Sequence, residues 1–124
     1  MARNPIDWFE IYVQDLERAR DFYQTVFQIE LQPLESPGEL EMLAFPQDLD
    51  QYGCGGALVA HRDMPSGGNS TVVYLHCDDC AEEAARVGEN GGTLLREKMS
   101  IGQHGFVALA KDPDGNLIGL HSNR

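Results

Sequence analysis

The sequence predicts an α+β fold made of two tandem βαβββ modules. The order of one strand, one helix and three further strands occurs twice along the chain. The expected helix caps Asp15 and Asp79 lie 64 positions apart (79 − 15), as do the strand ends Val13 and Cys77 (77 − 13). The apolar faces of the two first strands also alternate in the same phase. An internal duplication accounts for these observations together.

The first module begins with a strand at residues 6–13, where apolar side chains occupy every second position. Asp15 is suited to cap the next helix, because its side chain can accept a free backbone N–H. Apolar residues recur at helical spacing over 16–27 and predict an amphipathic helix. Three short strands complete the module, at about 29–34, 40–45 and 56–61.

The second module repeats this order from a strand at residues 70–77. Asp79 followed by Glu82 predicts a capped helix over about 80–89. Three more strands follow, at about 93–99, 105–111 and 116–121. Between the last two strands, Asp112-Pro113-Asp114-Gly115 has the residues of a type I turn that ends on a left-handed glycine.

Length and charge limit the partners of the chain. Its 124 residues are expected to form a single domain, with module 1 at about 5–63 and module 2 at about 70–123. Nine basic residues against 20 acidic residues give a formal net charge of -11. Because a body this acidic repels phosphate backbones and anionic lipid, we expect neither nucleic acid nor a membrane as partner.

Cysteine count and the N-terminus predict the compartment. Three cysteines, Cys54, Cys77 and Cys80, are an odd number, which argues against a disulfide framework and fits a reducing environment. The first five residues contain no apolar signal segment, and no stretch approaches the roughly 20 apolar residues that span a bilayer. We therefore expect the protein in the cytoplasm.

Two segments carry a resemblance to a known family. The first joins Phe9-Glu10-Ile11-Tyr12-Val13-Gln14-Asp15 to Arg18-Ala19-Arg20-Asp21-Phe22-Tyr23, and the second joins Gly105-Phe106-Val107-Ala108-Leu109 to Asp112-Pro113-Asp114-Gly115-Asn116. Both resemble the vicinal oxygen chelate superfamily of glyoxalase I, bleomycin-resistance proteins and extradiol dioxygenases. The resemblance spans essentially the whole chain. It implies that the modules curl into a mixed sheet around a cavity and that two chains pair as a homodimer.

The metal-dependent members of that superfamily carry His, Gln or Glu at four cavity-facing strand positions. In this chain those positions fall on Trp8, Val72, Gly119 and a residue within Ala57–Ala60. None of these side chains offers a lone pair to a divalent cation. We therefore expect no metal at the standard ligand positions, and the identity of any cofactor stays open.

Strand alternation predicts the side chains that line the cavity. The apolar strand faces should receive the helices, which leaves the opposite faces for a small-molecule ligand. Those faces carry Trp8, Glu10, Tyr12, Val72, Tyr74, His76, Gly119 and His121. Glu10 and His121 are the candidate catalytic residues, and the other six are candidate ligand contacts. The aromatic side chains could equally fill a core.

Glu10 and His121 would form an acid–base pair if their strands were neighbours. A carboxylate beside an imidazole raises the basicity of the ring, which suits proton abstraction next to a carbonyl. This predicts a lyase or isomerase acting on a small carbonyl or thiol-adduct substrate. The same two residues could instead form a displaced metal site, although two ligands are too few for a catalytic metal. A purely structural hydrogen bond is the third interpretation.

Two non-enzymatic functions fit the same residues. The first is a metal-free drug- or metabolite-binding module of the bleomycin-resistance type, in which Glu10 would favour a cationic ligand. The second is an interaction domain with a vestigial cavity. The C-x-x-C motif Cys77-Asp78-Asp79-Cys80 does not favour redox chemistry, because two aspartates oppose formation of a thiolate.

Overall fold

The computed structural model describes residue 4, residues 6–35 and residues 40–124, without the side chains of Asn69 and Ser70. The N-terminal segment that we searched for a signal sequence lies outside the described residues, except for Asn4. Module 1 contains β1 (Trp8–Tyr12), α1 (Leu16–Phe27), β2 (Gln32–Leu34), β3 (Glu41–Ala44) and β4 (Gly55–Ala60). Module 2 contains β5 (Gly68–His76), α2 (Cys80–Val87), β6 (Thr93–Ser100), β7 (Phe106–Lys111) and β8 (Asn116–Ser122). The duplicated βαβββ order is therefore confirmed.

Each module forms one four-stranded mixed sheet. The strand order is β1-β4-β3-β2 in the first sheet and β5-β8-β7-β6 in the second. In each sheet the first strand pairs in parallel with the last strand of its module, and the other pairs are antiparallel. The strands β1 and β5 are consequently edge strands.

The helix caps follow the sequence prediction. The Asp15 carboxylate accepts the backbone N–H of Arg18 at 3.0 Å, and the Asp79 carboxylate accepts that of Ala81 at 3.1 Å. Strand β2 is shorter than predicted, because the residues before it close the end of α1. There the N–H of Ile29 donates to the Gln24 carbonyl at 3.3 Å, and the N–H of Leu31 donates to the Gln24 side chain at 2.9 Å.

The core lies on one face of both sheets, beneath the two helices. The α1 side chains Phe22, Tyr23 and Val26 are buried in one cluster with Ala84 and Val87 of α2. The cluster takes the predicted apolar face of each first strand, including Ile11, Val13 and Cys77. We call the opposite side of each sheet the open face. It carries the alternate residues of the same strands, as predicted.

The turn between β7 and β8 joins the two modules. The buried Asp112 carboxylate accepts the Tyr23 hydroxyl at 2.8 Å and the Asn116 side-chain amide at 2.9 Å. That amide also donates to the carbonyl of Tyr12 at 2.9 Å. The Asp114 side chain is fully buried and accepts the Gln14 backbone N–H at 2.9 Å and the Arg18 guanidinium. We call these contacts the clasp, and they fix the second module against α1 and the end of β1.

Among the described residues, the helices are too short or too polar to span a bilayer.

Candidate functional site

The open face of β1 carries a hydrogen-bonded triad made of an indole, a carboxylate and a phenol. Trp8 Nε1 donates to Glu10 Oε2 at 3.2 Å, and the Tyr12 hydroxyl donates to Glu10 Oε1 at 3.0 Å. These contacts form because residues 8, 10 and 12 follow one another on the same side of an extended strand. The hydrogen bond to Glu10 is the main reason why the pKa of Tyr12 is raised. The phenol therefore stays a neutral donor that orients the carboxylate.

The open face of the second sheet presents an aromatic ring supported by a glycine. Tyr74 of β5 is the direct neighbour of Gly119 on β8. A Cβ atom built on Gly119 would lie 2.3 Å from Cδ1 of the Tyr74 ring, so the ring occupies the space that a side chain would take. Tyr74 nevertheless remains 52% exposed. Val72 is half-buried and His76 is exposed on the same face.

His121 makes a contact that the sequence did not predict. Its Nε2 lies 2.7 Å from the backbone oxygen of His104. Because a carbonyl oxygen can only accept, Nε2 carries the proton and Nδ1 of the neutral ring is left with a lone pair. His121 is also the direct cross-strand neighbour of His76.

The structure does not pair Glu10 with His121 across neighbouring strands. Strand β1 pairs with β4, whereas β8 pairs with β5 and β7, so the two residues lie in different sheets. Both have other partners, namely Trp8 and Tyr12 for Glu10 and the His104 carbonyl for His121. The condition for an acid–base pair, neighbouring strands, is not met, because each module closes its own sheet by parallel pairing of its first and last strands.

Strand register identifies the fourth position at which the resemblance implies a metal ligand. Tyr74 pairs with Gly119 and Glu10 pairs with Ala57, so Ala57 is the counterpart of Gly119 in module 1. The four positions are thus occupied by Trp8, Ala57, Val72 and Gly119. An indole, a methyl group, an isopropyl group and a glycine hydrogen provide no ligand for a divalent cation. Within the described parts of the chain, no cluster of three or more His, Cys, Asp or Glu side chains could hold a metal ion.

A cleft of about 260 Å³ separates the edge strands β1 and β5. Its walls include Glu10 and Tyr12 on one side and Thr71 on the other, with Ser66 and Asn116 between them. Glu10 is its charged lining residue, and the other polar groups are neutral. Asn116 also holds the Tyr12 carbonyl, so the clasp supports one wall of the cleft. Asn116 directly follows the Asp-Pro-Asp-Gly turn, and this position is the feature of the sequence that could have identified it.

The sequence also gave no role to two further apolar side chains on the open face. Leu34 pairs across the strands with Met42, Met42 pairs with Val59, and Val59 pairs with Tyr12. Leu34 and Tyr12 therefore lie on the same face of the first sheet. In the second sheet, Val107 pairs with both Met99 and His121, so these two side chains lie on the same face. Both side chains are more than one-third exposed, at 39%. Strand alternation could have found them, but only with the register known.

The cysteines carry free thiols and lie apart from the open face. Cys54 is exposed, whereas Cys77, which follows β5, and Cys80, the first residue of α2, are buried. Burial raises the pKa of the Cys77 thiol far above its ordinary value, and nearby Glu83 raises it further. A thiol held neutral in this way is a poor nucleophile.

Comparisons with known proteins agree with this architecture. An antibiotic binding protein from Streptomyces sp. CB03234 is 31% identical, with 98% of each chain covered and a TM-score of 0.70. A glyoxalase/bleomycin resistance protein from the same organism is 29% identical, with 94% of this chain and 98% of that chain covered and a TM-score of 0.70. Glyoxalase I from Zea mays shares the fold at 23% identity and a TM-score of 0.71, over 96% of this chain and 46% of that chain.

No curated protein sequence matches the chain. The family profile of the Glyoxalase/Bleomycin resistance protein/Dioxygenase superfamily, however, matches residues 5–120. With that match extending over nearly all of the sequence, the chain belongs to the Glyoxalase/Bleomycin resistance protein/Dioxygenase superfamily.

Proposed function

We propose that this protein binds a small aromatic molecule on its open face without transforming it. The observation that carries the proposal is the exposure of Trp8 and Tyr74, one on the open face of each sheet, at 38% and 52%. Large aromatic side chains left exposed on a protein surface offer a ligand contact area at low entropic cost. The similarity to an antibiotic binding protein at 31% identity supports the binding of a small molecule.

Thermal shift and calorimetry against a library of planar aromatic compounds, aromatic antibiotics included, test this proposal. A ligand that binds the folded state raises the melting temperature with concentration. We expect Tyr74→Leu to weaken binding about threefold to tenfold, because it removes an aromatic contact of roughly one kcal/mol. Tyr52→Leu is the matched control, since Tyr52 is 91% exposed in the β3–β4 loop. A library without binders would refute the proposal, as would loss of binding in the Tyr52 variant alone.

We further propose that two copies pair through their open faces and enclose the ligand. Exposed Leu34 and Met99 extend the apolar surface beyond the aromatic residues. Sedimentation should show a dimer, and Met99→Lys should dissociate it by placing a charge in the interface. Leu49→Lys, on a loop side chain that is 88% exposed, is the control. A monomeric wild-type protein would rule out the pairing.

A lyase or isomerase is the second candidate function, and one observation favours it. The His104 carbonyl fixes the His121 ring so that Nδ1 is the basic nitrogen, as proton abstraction requires. This candidate predicts exchange of a substrate proton with solvent deuterium for a small carbonyl compound or a thiol adduct. His121→Ala and Glu10→Gln should each abolish that exchange. If both variants exchange at the wild-type rate, these residues have no catalytic role.

A further inference from the structure

We propose that the ligand carries a positive charge and that Glu10 binds it. The ligand class is an aromatic ring system with an ammonium, amidinium or quaternary nitrogen. This inference rests on the proposed binding function and adds the group that recognises the charge.

The Glu10 carboxylate is oriented but not neutralised. Each oxygen accepts one hydrogen bond from a neutral donor, Trp8 Nε1 or the Tyr12 hydroxyl. Since an ionised carboxylate has about four acceptor sites, each oxygen keeps the capacity to accept another hydrogen bond. The two donors hold the group in one position, so little side-chain entropy remains to be lost when a cation binds.

Several basic side chains of the described chain form ion pairs with carboxylates other than Glu10, and the Arg96 guanidinium donates to Met99 Sδ at 3.1 Å. Arg18 pairs with Asp114, Arg86 lies 3.9 Å from Glu83, and Lys98 lies 2.8 Å from Asp79. Arg20 pairs with Asp21 on the outer side of α1. A cationic ligand at Glu10 would therefore replace water rather than compete with an internal ion pair.

The surroundings of Glu10 favour a cation over an anion. The cleft beside it is otherwise lined by neutral side chains such as Ser66, Thr71 and Asn116. The indole and the phenol that hold the carboxylate present π faces, which attract cations. The net charge of -11 also produces a long-range electrostatic field that attracts cations. An anionic ligand would meet Glu10 without a compensating positive group among the lining residues.

Two probes of matched shape test the charge preference. N-methylacridinium is a permanent cation, and acridine at mildly alkaline pH is its neutral counterpart. We expect the cation to bind wild-type protein about tenfold more tightly or better, since a hydrogen bond or contact to a charged group contributes about 1.5–3 kcal/mol. Titration calorimetry or fluorescence gives both dissociation constants.

Glu10→Gln is the decisive variant, because glutamine keeps the shape and one acceptor oxygen while it removes the charge. We expect it to weaken cation binding about tenfold or more and to leave acridine binding within twofold. Glu89→Gln removes the same charge from an exposed site after α2 and should change neither constant. This control separates direct contact from the overall field of the protein.

Each remaining outcome overturns the inference. Equal affinity for both probes, or a Glu10→Gln variant that retains the cation preference, would refute the charge recognition while the aromatic binding function stands. Binding of neither probe would also refute it. The aromatic library then decides separately whether the proposed binding function itself fails.

Discussion

The two modules use the same local contact, an aromatic ring over a glycine, on opposite faces of their sheets. In module 1, Phe9 is the parallel neighbour of Gly56, and a Cβ atom on that glycine would lie 2.4 Å from the Phe9 ring. In module 2, Tyr74 bears the same relation to Gly119 at 2.3 Å. Phe9 packs against the core, whereas Tyr74 is half-exposed on the open face.

This difference shows how a duplicated unit acquires two roles. Equivalent positions of the first strands of the two modules are 64 residues apart, so Phe9 corresponds to Val73 and Glu10 corresponds to Tyr74. The aromatic ring and its glycine in module 2 therefore lie one residue further along their strands than the ring and glycine in module 1. A shift of one residue moves a side chain to the other face of a strand. The contact therefore stabilises the core in module 1 and supports a candidate ligand contact in module 2. Gly56→Ala and Gly119→Ala test this contrast, and Tyr23→Phe and Lys98→Met test two further contacts of the modules.

Gly56→Ala should have the largest effect. The new methyl group would lie 2.4 Å from the Phe9 ring and 2.5 Å from the Phe9 backbone oxygen, so the paired strands must move apart. We expect the free energy of unfolding to fall by about 2–3 kcal/mol, the cost typical of overpacking a core. Urea denaturation measures it. A loss below about 0.5 kcal/mol would mean that β1 and β4 can separate freely, and the contrast with module 2 would disappear.

Tyr23→Phe tests the clasp that holds the two modules together. The variant removes the hydroxyl that donates to Asp112 at 2.8 Å in a buried site. We expect a loss of about 1–2 kcal/mol, because Asp112 retains its other donors but loses one buried hydrogen bond. Tyr52→Phe, on an almost fully exposed side chain, should change stability by less than about 0.5 kcal/mol. Equal denaturation curves for Tyr23→Phe and wild type would show that the clasp hydroxyl adds no net stability.

The sequence predicted the fold because its signals are local. Alternation along the first strands, the caps Asp15 and Asp79 and the turn glycine Gly115 each act within a few residues. The structure places Gly115 at φ +83°, as the predicted turn requires. The alternation of side chains along β1 and β5 also predicted correctly which residues lie on the open face. That prediction requires only the knowledge that the helices cover the apolar side of each strand.

The partners within the candidate site could not be predicted in the same way. Glu10 and His121 depend on which strands are neighbours, and pairing within each module separated them. The bond from His121 to the His104 carbonyl depends on the segment between β6 and β7, where His104 ends a 3-10 helix of only three residues (Gly102–His104). Glu83 shows a similar limit, because its carboxylate on α2 is buried although a charged side chain is normally found on the exposed face of a helix. Long-range contacts of this kind leave no periodic signal in one sequence.

Gly119→Ala should affect stability less than Gly56→Ala. The three heavy atoms nearest to the new methyl group all belong to the Tyr74 ring, and that half-exposed ring can rotate towards solvent. We expect a loss of less than about 1 kcal/mol, at the low end for overpacking. Binding of aromatic probes should weaken about threefold to tenfold as the ring moves. A loss as large as that of Gly56→Ala would show that Tyr74 is held as rigidly as a core residue.

The smallest expected effect concerns the cap of α2, where the Asp79 carboxylate accepts the Ala81 N–H and also binds an ammonium group. Lys98 Nζ lies 2.8 Å from the Asp79 carboxylate, and this hydrogen bond, followed by that from the Ala81 N–H, lowers the pKa of Asp79 below its ordinary value of 3.8. A carboxyl group whose pKa is lower in the folded state stabilises the fold above its unfolded pKa. That contribution is lost as the pH falls through the folded pKa. Lys98→Met should therefore lower the melting temperature at neutral pH by on the order of a degree, as expected for an exposed pair.

The pH dependence separates this ion pair from the other contact of Lys98. Its ammonium group also lies 4.6 Å from the centre of the Phe106 ring, a contact that does not titrate in acid. If the pair with Asp79 matters, the difference in melting temperature between wild type and Lys98→Met should shrink as the pH falls below the pKa of Asp79. A difference that stays constant into strong acid would assign the effect of Lys98 to the Phe106 ring.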